Sequence, residues 1–181
     1  MVGKEEFIGE PAAQDEQREF CEVVRPRLVA ALAHYCGDLE LAEELAQDAL
    51  LKACRRWAVV RETSSRLGWC YRVGVSSANS WFRRQAAERR AKRRFQPTGE
   101  HAQTDDHVDR LAVRAALRLL TDQQREVVIL RFYLGLSPVE TASLIDSSPG
   151  AVRGLTHRAL KVLRNELDID APIDEEVPDG S

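Results

Sequence analysis

The sequence predicts an all-α protein built as two small helical domains joined by a flexible linker. Three observations carry that expectation. Apolar residues recur with a helical period of about 3.6, and no stretch alternates with period 2. Helix-start signatures precede four successive apolar runs in the second half. Between the halves, residues 95–108 hold Pro97, Gly99 and a polar cluster, the best domain boundary in the chain. With 181 residues, each half is large enough for a modest core.

The elements follow in order. From Gln14 to about Tyr35 the apolar positions Phe20, Val23, Val24, Leu28, Ala31 and Leu32 mark a helix, which Pro26 is able to kink or split. Gly37 suits the position just past a helix end, and Asp38 suits the next N-cap. The second helix runs to about Trp57 on the stripe Ala42, Leu45, Ala46, Ala49, Leu50, Ala53 and Trp57. Its opposite face carries Glu40, Glu43, Glu44, Gln47, Asp48 and Lys52. Val59 to Ser65 lacks a period and reads as a loop. A third helix, from about Arg66 to Arg94, grows steadily more basic.

Past the linker, Asp105 or Asp106 caps a helix to Leu120. Thr121-Asp-Gln-Gln124 is a capping box for a helix carrying Val127, Val128, Leu130 and Phe132 and ending at Gly135. Ser137-Pro-Val-Glu140 is a second box, with Pro138 in the favoured first turn of a short helix ending near Ile145. Ser148-Pro149 opens the last helix, to about Leu167. The acidic stretch 168–181 is expected to be disordered.

Composition narrows the function classes. No apolar run approaches the roughly 20 residues that span a bilayer, and the first residues lack the apolar core of a secretory signal, so a cytoplasmic protein without membrane insertion is expected. Cys21, Cys36, Cys54 and Cys70 form no C-x-x-C pair, so no metal site is expected and the thiols read as reduced, half-buried core residues. His34, His101, His107 and His157 are scattered, with no nucleophile motif or phosphate loop beside them. An enzyme with catalytic residues or a cofactor is therefore not expected.

The net charge of -3 hides segregation. Residues 1–50 hold twelve acids and four bases, whereas residues 51–95 hold thirteen bases and two acids. Binding follows the local field rather than the sum, so a nucleic-acid partner fits the middle of the chain. The stripe Arg83, Arg84, Arg89, Arg90, Lys92, Arg93 and Arg94 reads as a phosphate-binding surface or a solvated face. Trp81 and Phe82 beside it suit stacking on single-stranded bases, or belong to a core with Trp69 and Val73. The acidic face of the second helix is solvated or binds a protein.

Residues 137–164 have the lengths of a helix-turn-helix, or of an unrelated helical hairpin. In the first case the second helix offers Ala151, Arg153, Gly154, Thr156, His157 and Arg158 to the major groove, with Val152, Leu155, Ala159 and Leu163 facing inward. Arg153 suits guanine or a phosphate.

The order of parts resembles the bacterial sigma-70 family, in its small extracytoplasmic-function group. Leu41-Ala-Glu-Glu-Leu-Ala-Gln-Asp-Ala-Leu-Leu-Lys-Ala-Cys54, closed by Trp57, is similar to the core-polymerase-binding stretch of region 2. Trp69-Cys-Tyr-Arg-Val73 resembles the W-L-Y-R-I run of the next helix. Leu120 to Tyr133 with Gly135-Leu-Ser137 resembles the start of region 4, and Gly150-Ala-Val-Arg153 with Thr156-His-Arg158 its recognition helix.

The resemblance implies region 2 over 15–94, a linker over 95–104 and region 4 over 105–167. Glu44, Gln47, Asp48 and Lys52 would dock on core RNA polymerase, at the clamp helices of its largest subunit. Arg61, Arg66, Arg72, Ser76, Trp81, Arg83 and Arg84 would meet the promoter -10 element, with the loop 59–66 holding an extruded base. Ser148, Ala151, Arg153, Gly154, Thr156, His157 and Arg158 would meet the -35 element, while region 4 docks on the flap of the second large subunit. An anti-sigma protein acting in trans is implied as a further partner. The sequence departs from the family at Ser76, where the W-L-Y-R-I-A-R-N run ends in asparagine, at Ser80, and at Asp146-Ser-Ser148 in place of G-I-S. A polymerase-independent helix-turn-helix regulator is the alternative.

Overall fold

The computed structural model describes residues 11–93 and 108–167. The expected linker, Asp105, Asp106, Arg94 and the acidic stretch 168–181 lie outside the described residues. Among the described residues every regular element is helical. They are α1 (Pro11–Cys36), α2 (Leu39–Arg55), α3 (Trp57–Val60), α4 (Arg66–Arg93), α5 (Val108–Leu119), α6 (Asp122–Val128), a π-helical turn (Ile129–Tyr133), α7 (Pro138–Leu144) and α8 (Pro149–Leu167).

α1 is continuous through Pro26, so the proline does not split it. Pro26 and Glu22, whose carbonyl stands opposite the proline ring, both lie on the exposed face, where a missing helical hydrogen bond costs less than it would in the core. Gly37 then takes φ 73°, and its N–H donates to Ala33 O at 2.8 Å. Asp38 caps α2, its Oδ1 accepting from Leu41 N at 3.1 Å. α2 packs along α1 through Leu41, Ala42, Leu45, Ala46, Ala49, Leu50 and Ala53, all buried. The alanines bring the two helices close, and each buried leucine contributes about 1.5–3 kcal/mol.

Two element boundaries differ from expectation. α2 stops at Arg55 rather than Trp57, and Trp57 opens the single turn α3 inside the stretch expected to be loop. The reason is packing: Trp57 and Val60 are both buried, and a helical turn puts positions i and i+3 on one side. The helix expected to run to Gly135 instead changes to π geometry, with Leu134 N donating to Ile129 O at 2.9 Å. The extra residue in the turn shifts the phase, so Ile129, Leu130 and Leu134 face inward and Phe132, expected on the apolar stripe, is 44% exposed.

That turn also changes the domain picture. Ile129, Leu130, Leu134 and Leu136 belong to the same apolar cluster as Leu28 and Leu32 of α1 and Tyr71 and Val75 of α4. The second helical unit is therefore docked on the first through a shared core. The approach is close at Gly68 on α4, where a Cβ atom would sit 2.6 Å from Leu144 Cδ1 and 3.0 Å from Leu136 Cδ1. Two smaller clusters, Leu117–Leu120–Val128–Ala159 and Val127–Ala142–Val152, hold the second unit together.

Candidate functional site

The polar face of α2 is presented as the period requires. Glu44, Gln47, Asp48 and Lys52 are all exposed on one side, opposite the buried stripe. Lys52 Nζ reaches across to α4 and donates to Ser77 Oγ at 3.3 Å. Between the two helices lies a groove of about 430 Å³. Glu44, Asp48 and Lys52 line it from α2, and Ser76, Trp81 and Arg84 line it from α4. Two sets of residues expected to bind different partners thus share one groove.

A second groove of about 390 Å³ is lined by Arg72, Val73, Ser76, Asn79 and Arg83. Asn79, which sequence reasoning missed, is oriented by Tyr35, whose hydroxyl donates to Asn79 Oδ1 at 2.7 Å. Arg83 Nη2 donates to Ser80 Oγ at 3.1 Å, and Ser80 in turn donates to Ser76 O at 3.0 Å. Trp81 is half-buried and meets Phe82 edge to face, with ring centres 5.2 Å apart. Arg84 is exposed, and Trp69, Val73 and Phe82 pack against the core.

Arg61, Arg66 and Arg72 are also paired with carboxylates. Arg61 and Arg66 both reach Glu16 of α1. Arg72 Nη1 donates to Glu126 Oε1 at 2.8 Å, across the seam between the two units. Glu126 is only 6% exposed, and its carboxyl is pushed above the usual range because burial outweighs the pull of Arg72. Beside it Arg125 donates to Tyr35 O at 3.3 Å and to Leu117 O at 2.8 Å, and stacks 5.5 Å over the Tyr35 ring. His34 meets Tyr133 edge to face at 5.1 Å. Glu16, Glu126 and Arg125 were missed because each has a partner 50 or more residues away. One sequence signal was available: Glu126 is a charge directly before the apolar run Val127 to Leu130.

The helix pair at the far end has the turn that its sequence requires. Asp146 takes φ 51°, a left-handed conformation that aspartate tolerates, and Ser147 N donates to Ala142 O at 2.9 Å to close α7. Ser148 Oγ accepts from Ala151 N at 3.1 Å and so caps α8. Ala151, Arg153, His157 and Arg158 are exposed, whereas Gly154 and Thr156 are half-buried. Thr156 Oγ1 donates to Val152 O at 2.9 Å, which occupies its proton. Val152 and Ala159 are buried, with Leu155 and Leu163 packed beside them.

The thiols are free. Cys70 is buried and the other three half-buried, with Cys21 Sγ 3.6 Å from Cys54 Sγ. Burial pushes Cys21, Cys36 and Cys70 up to about 12. Among the described residues, no helix is long and apolar enough to cross a membrane.

Comparison with known proteins gives two family models and a set of relatives. Residues 21–88 match Sigma-70 region 2, and residues 110–163 match Sigma-70, region 4. The chain is 33% identical over 165 residues to an RNA polymerase sigma-E factor of Streptomyces antibioticus, covering 88% of this chain and 92% of that protein. It is 31% identical to the ECF RNA polymerase sigma factor SigX of Bacillus subtilis, covering 81% of each. Among solved structures, the sigma factor RpoE in complex with the anti-sigma factor NepR from Bartonella quintana superposes with a TM-score of 0.72 at 24% identity, covering 87% of this chain and 99% of that one. CnrH in complex with the cytosolic domain of CnrY gives a TM-score of 0.58 at 24% identity, covering 88% and 94%.

Proposed function

Because the chain belongs to the sigma-70 family, in its extracytoplasmic-function group, and is an RNA polymerase sigma factor, we propose that the α2 face docks on core polymerase while α4 and α8 read and open the promoter. Residues 15–94 work as region 2 and 105–167 as region 4, with 95–104 linking them. One observation supports this most: α2 supplies Glu44, Asp48 and Lys52, and α4 supplies Ser76, Trp81 and Arg84, to a single groove. A polymerase element seated on α2 would hold the -10 strand against α4.

The chemistry follows from the side chains. The exposed acids of α2 complement a basic surface such as the clamp helices of the largest subunit. Arg83 and Arg84 neutralise phosphates and release their condensed cations. Unstacking a base costs a few kcal/mol, and contacts in the loop between α3 and α4 offset it. Trp81 supplies a ring on which an exposed base stacks. At the other end Arg153 addresses a base edge at -35, while His157 and Arg158 lie along the same exposed face and Ser148 sets the start of the helix. The second unit rests on the flap of the second large subunit.

In this reading the protein is a cytoplasmic initiation factor and not an enzyme. An anti-sigma protein would act in trans on the same exposed faces. Hydroxyl-radical footprinting on the promoter of its own operon tests the reading. Protection of both -10 and -35 is expected only with core polymerase and the protein together. A tight duplex footprint by the free protein would instead indicate a polymerase-independent regulator.

A further inference from the structure

The loop between α3 and α4 is held from outside by the first helix. Glu16 of α1 offers one carboxylate oxygen to each end of the loop. Arg66 Nη1 donates to Oε1 at 3.1 Å, and Arg61 Nη2 lies 3.8 Å from Oε2. Arg66 also lies 5.4 Å over the Trp57 ring. Trp57 in turn packs on Phe20, one helical turn along from Glu16, with ring centres 5.2 Å apart. The neighbouring Gln17 donates to Cys54 O at 3.5 Å, just before α3.

Inside the loop, Thr63 Oγ1 donates to Val60 O at 2.7 Å, and Ser65 Oγ accepts from Gly68 N at 3.0 Å. These bonds fix the two shoulders. Glu62 and Ser64 remain exposed between them. The Glu16 carboxylate bridges the two arginines. Without it, Arg61 would keep the exposed Glu62, 3.5 Å from its Nε, and Arg66 the Trp57 ring, but the two side chains would no longer be tied to each other, and a base arriving at the loop would have to order them.

We propose that Glu16 is a positioning residue for promoter opening: it holds Arg61 and Arg66 in one geometry so that the loop between them presents a preformed seat to the extruded base. The inference rests on the proposed -10 role of this loop. It differs from a second role for the same carboxylate, competition with DNA phosphate for the two arginines. A competitor would weaken binding to every sequence alike, whereas a positioning group sharpens the choice of base.

The test uses the full chain with saturating core polymerase. Open-complex formation is read by permanganate reactivity on templates carrying each of the four bases at each -10 position. Wild type, Glu16→Gln, Glu16→Ala and Glu16→Asp are compared, after urea unfolding has shown that each variant folds. Glu16→Ala should reduce discrimination about three- to fivefold at one -10 position, the range that exposed ion pairs reach. Other positions and core affinity should be unchanged. Glu16→Gln should behave similarly, and Glu16→Asp should restore part of the discrimination. An equal fall on all templates would mean a purely structural role and would overturn the proposal. An equal rise on all templates, with a steeper salt dependence, would show phosphate competition and would overturn it too. If the wild type opens promoters but shows no base preference at any -10 position, the role of the loop itself is wrong.

Discussion

Replacing the buried carboxylate at the seam between the two units separates charge from shape. Glu126 has a side chain only 8% exposed, and its single ion-pair partner among the described residues is Arg72, itself 38% exposed. The pair is short, at 2.8 Å, yet burial still pushes the Glu126 carboxyl upward. Desolvation of the carboxylate therefore exceeds what Arg72 returns. Glu126→Gln keeps an acceptor for Arg72 and removes the buried charge, and Arg72 remains hydrated. The glutamine variant should be as stable as wild type at neutral pH, or more stable by about 1 kcal/mol. Glu126→Ala loses the acceptor and leaves a void, and should cost about 2–3 kcal/mol.

The pH dependence has a definite sign. A carboxyl whose folded pKa is raised binds its proton more tightly when folded. Its contribution is fully present below the ordinary value of 4.5 and is lost as pH rises through the raised folded value. Wild type should therefore gain on Glu126→Gln as pH falls from neutral toward that window, and the two should converge below it. Urea unfolding of the three proteins across this range, with small-angle scattering to follow docking of the units, measures both effects. A glutamine variant as unstable as the alanine one would refute the reasoning.

Other expectations follow from local geometry. Hydrogen bonds from Ser137 hold the Glu140 carboxyl below its usual range, so its support for α7 is present above the ordinary carboxylate value and is lost as pH falls through the lowered one. Ser137→Ala should cost about 1 kcal/mol in urea unfolding at neutral pH but should leave most of that acid loss in place, because the backbone N–H of residue 137, which lowers the carboxyl most, is kept. Arg153→Ala should weaken polymerase-dependent binding by about 1–3 kcal/mol and relax preference at one -35 base pair, as read by competition on substituted duplexes. In the same assay Arg158→Ala should weaken all sequences alike. Thiols pushed up to about 12 carry almost no thiolate at neutral pH, so Cys21, Cys36 and Cys70 should resist iodoacetamide in the native protein and react on unfolding, as counted by mass spectrometry.

Signals confined to a few residues were legible in the sequence. The two capping boxes form with both of their hydrogen bonds, and Gly37 ends α1. The stripe of α2 is buried as its period indicates, and on α8 Val152 and Ala159 are buried with Leu155 and Leu163 half-buried, which leaves Glu44, Asp48, Arg153 and His157 exposed. What escaped depends on distant partners. Trp57 makes a turn of its own because Phe20 packs on it, and periodicity carries no trace of that. The π turn is set by which of Ile129 to Tyr133 find a core, and that core belongs to the other unit. The links Glu16–Arg66 and Arg72–Glu126 span 50 and 54 residues, so the residue types alone did not announce them.

Run-off transcription with purified core polymerase on the promoter of its own operon, comparing wild type with Asp48→Arg, tests the central claim most directly. Asp48 is exposed on the α2 face, so the reversal leaves the buried stripe intact while it opposes a basic docking partner. Initiation should require this protein and should fall at least about tenfold in the variant, with unfolding in urea unchanged. Initiation by Asp48→Arg at the wild-type level would contradict docking through α2, and no initiation with wild type would contradict the assignment of both units.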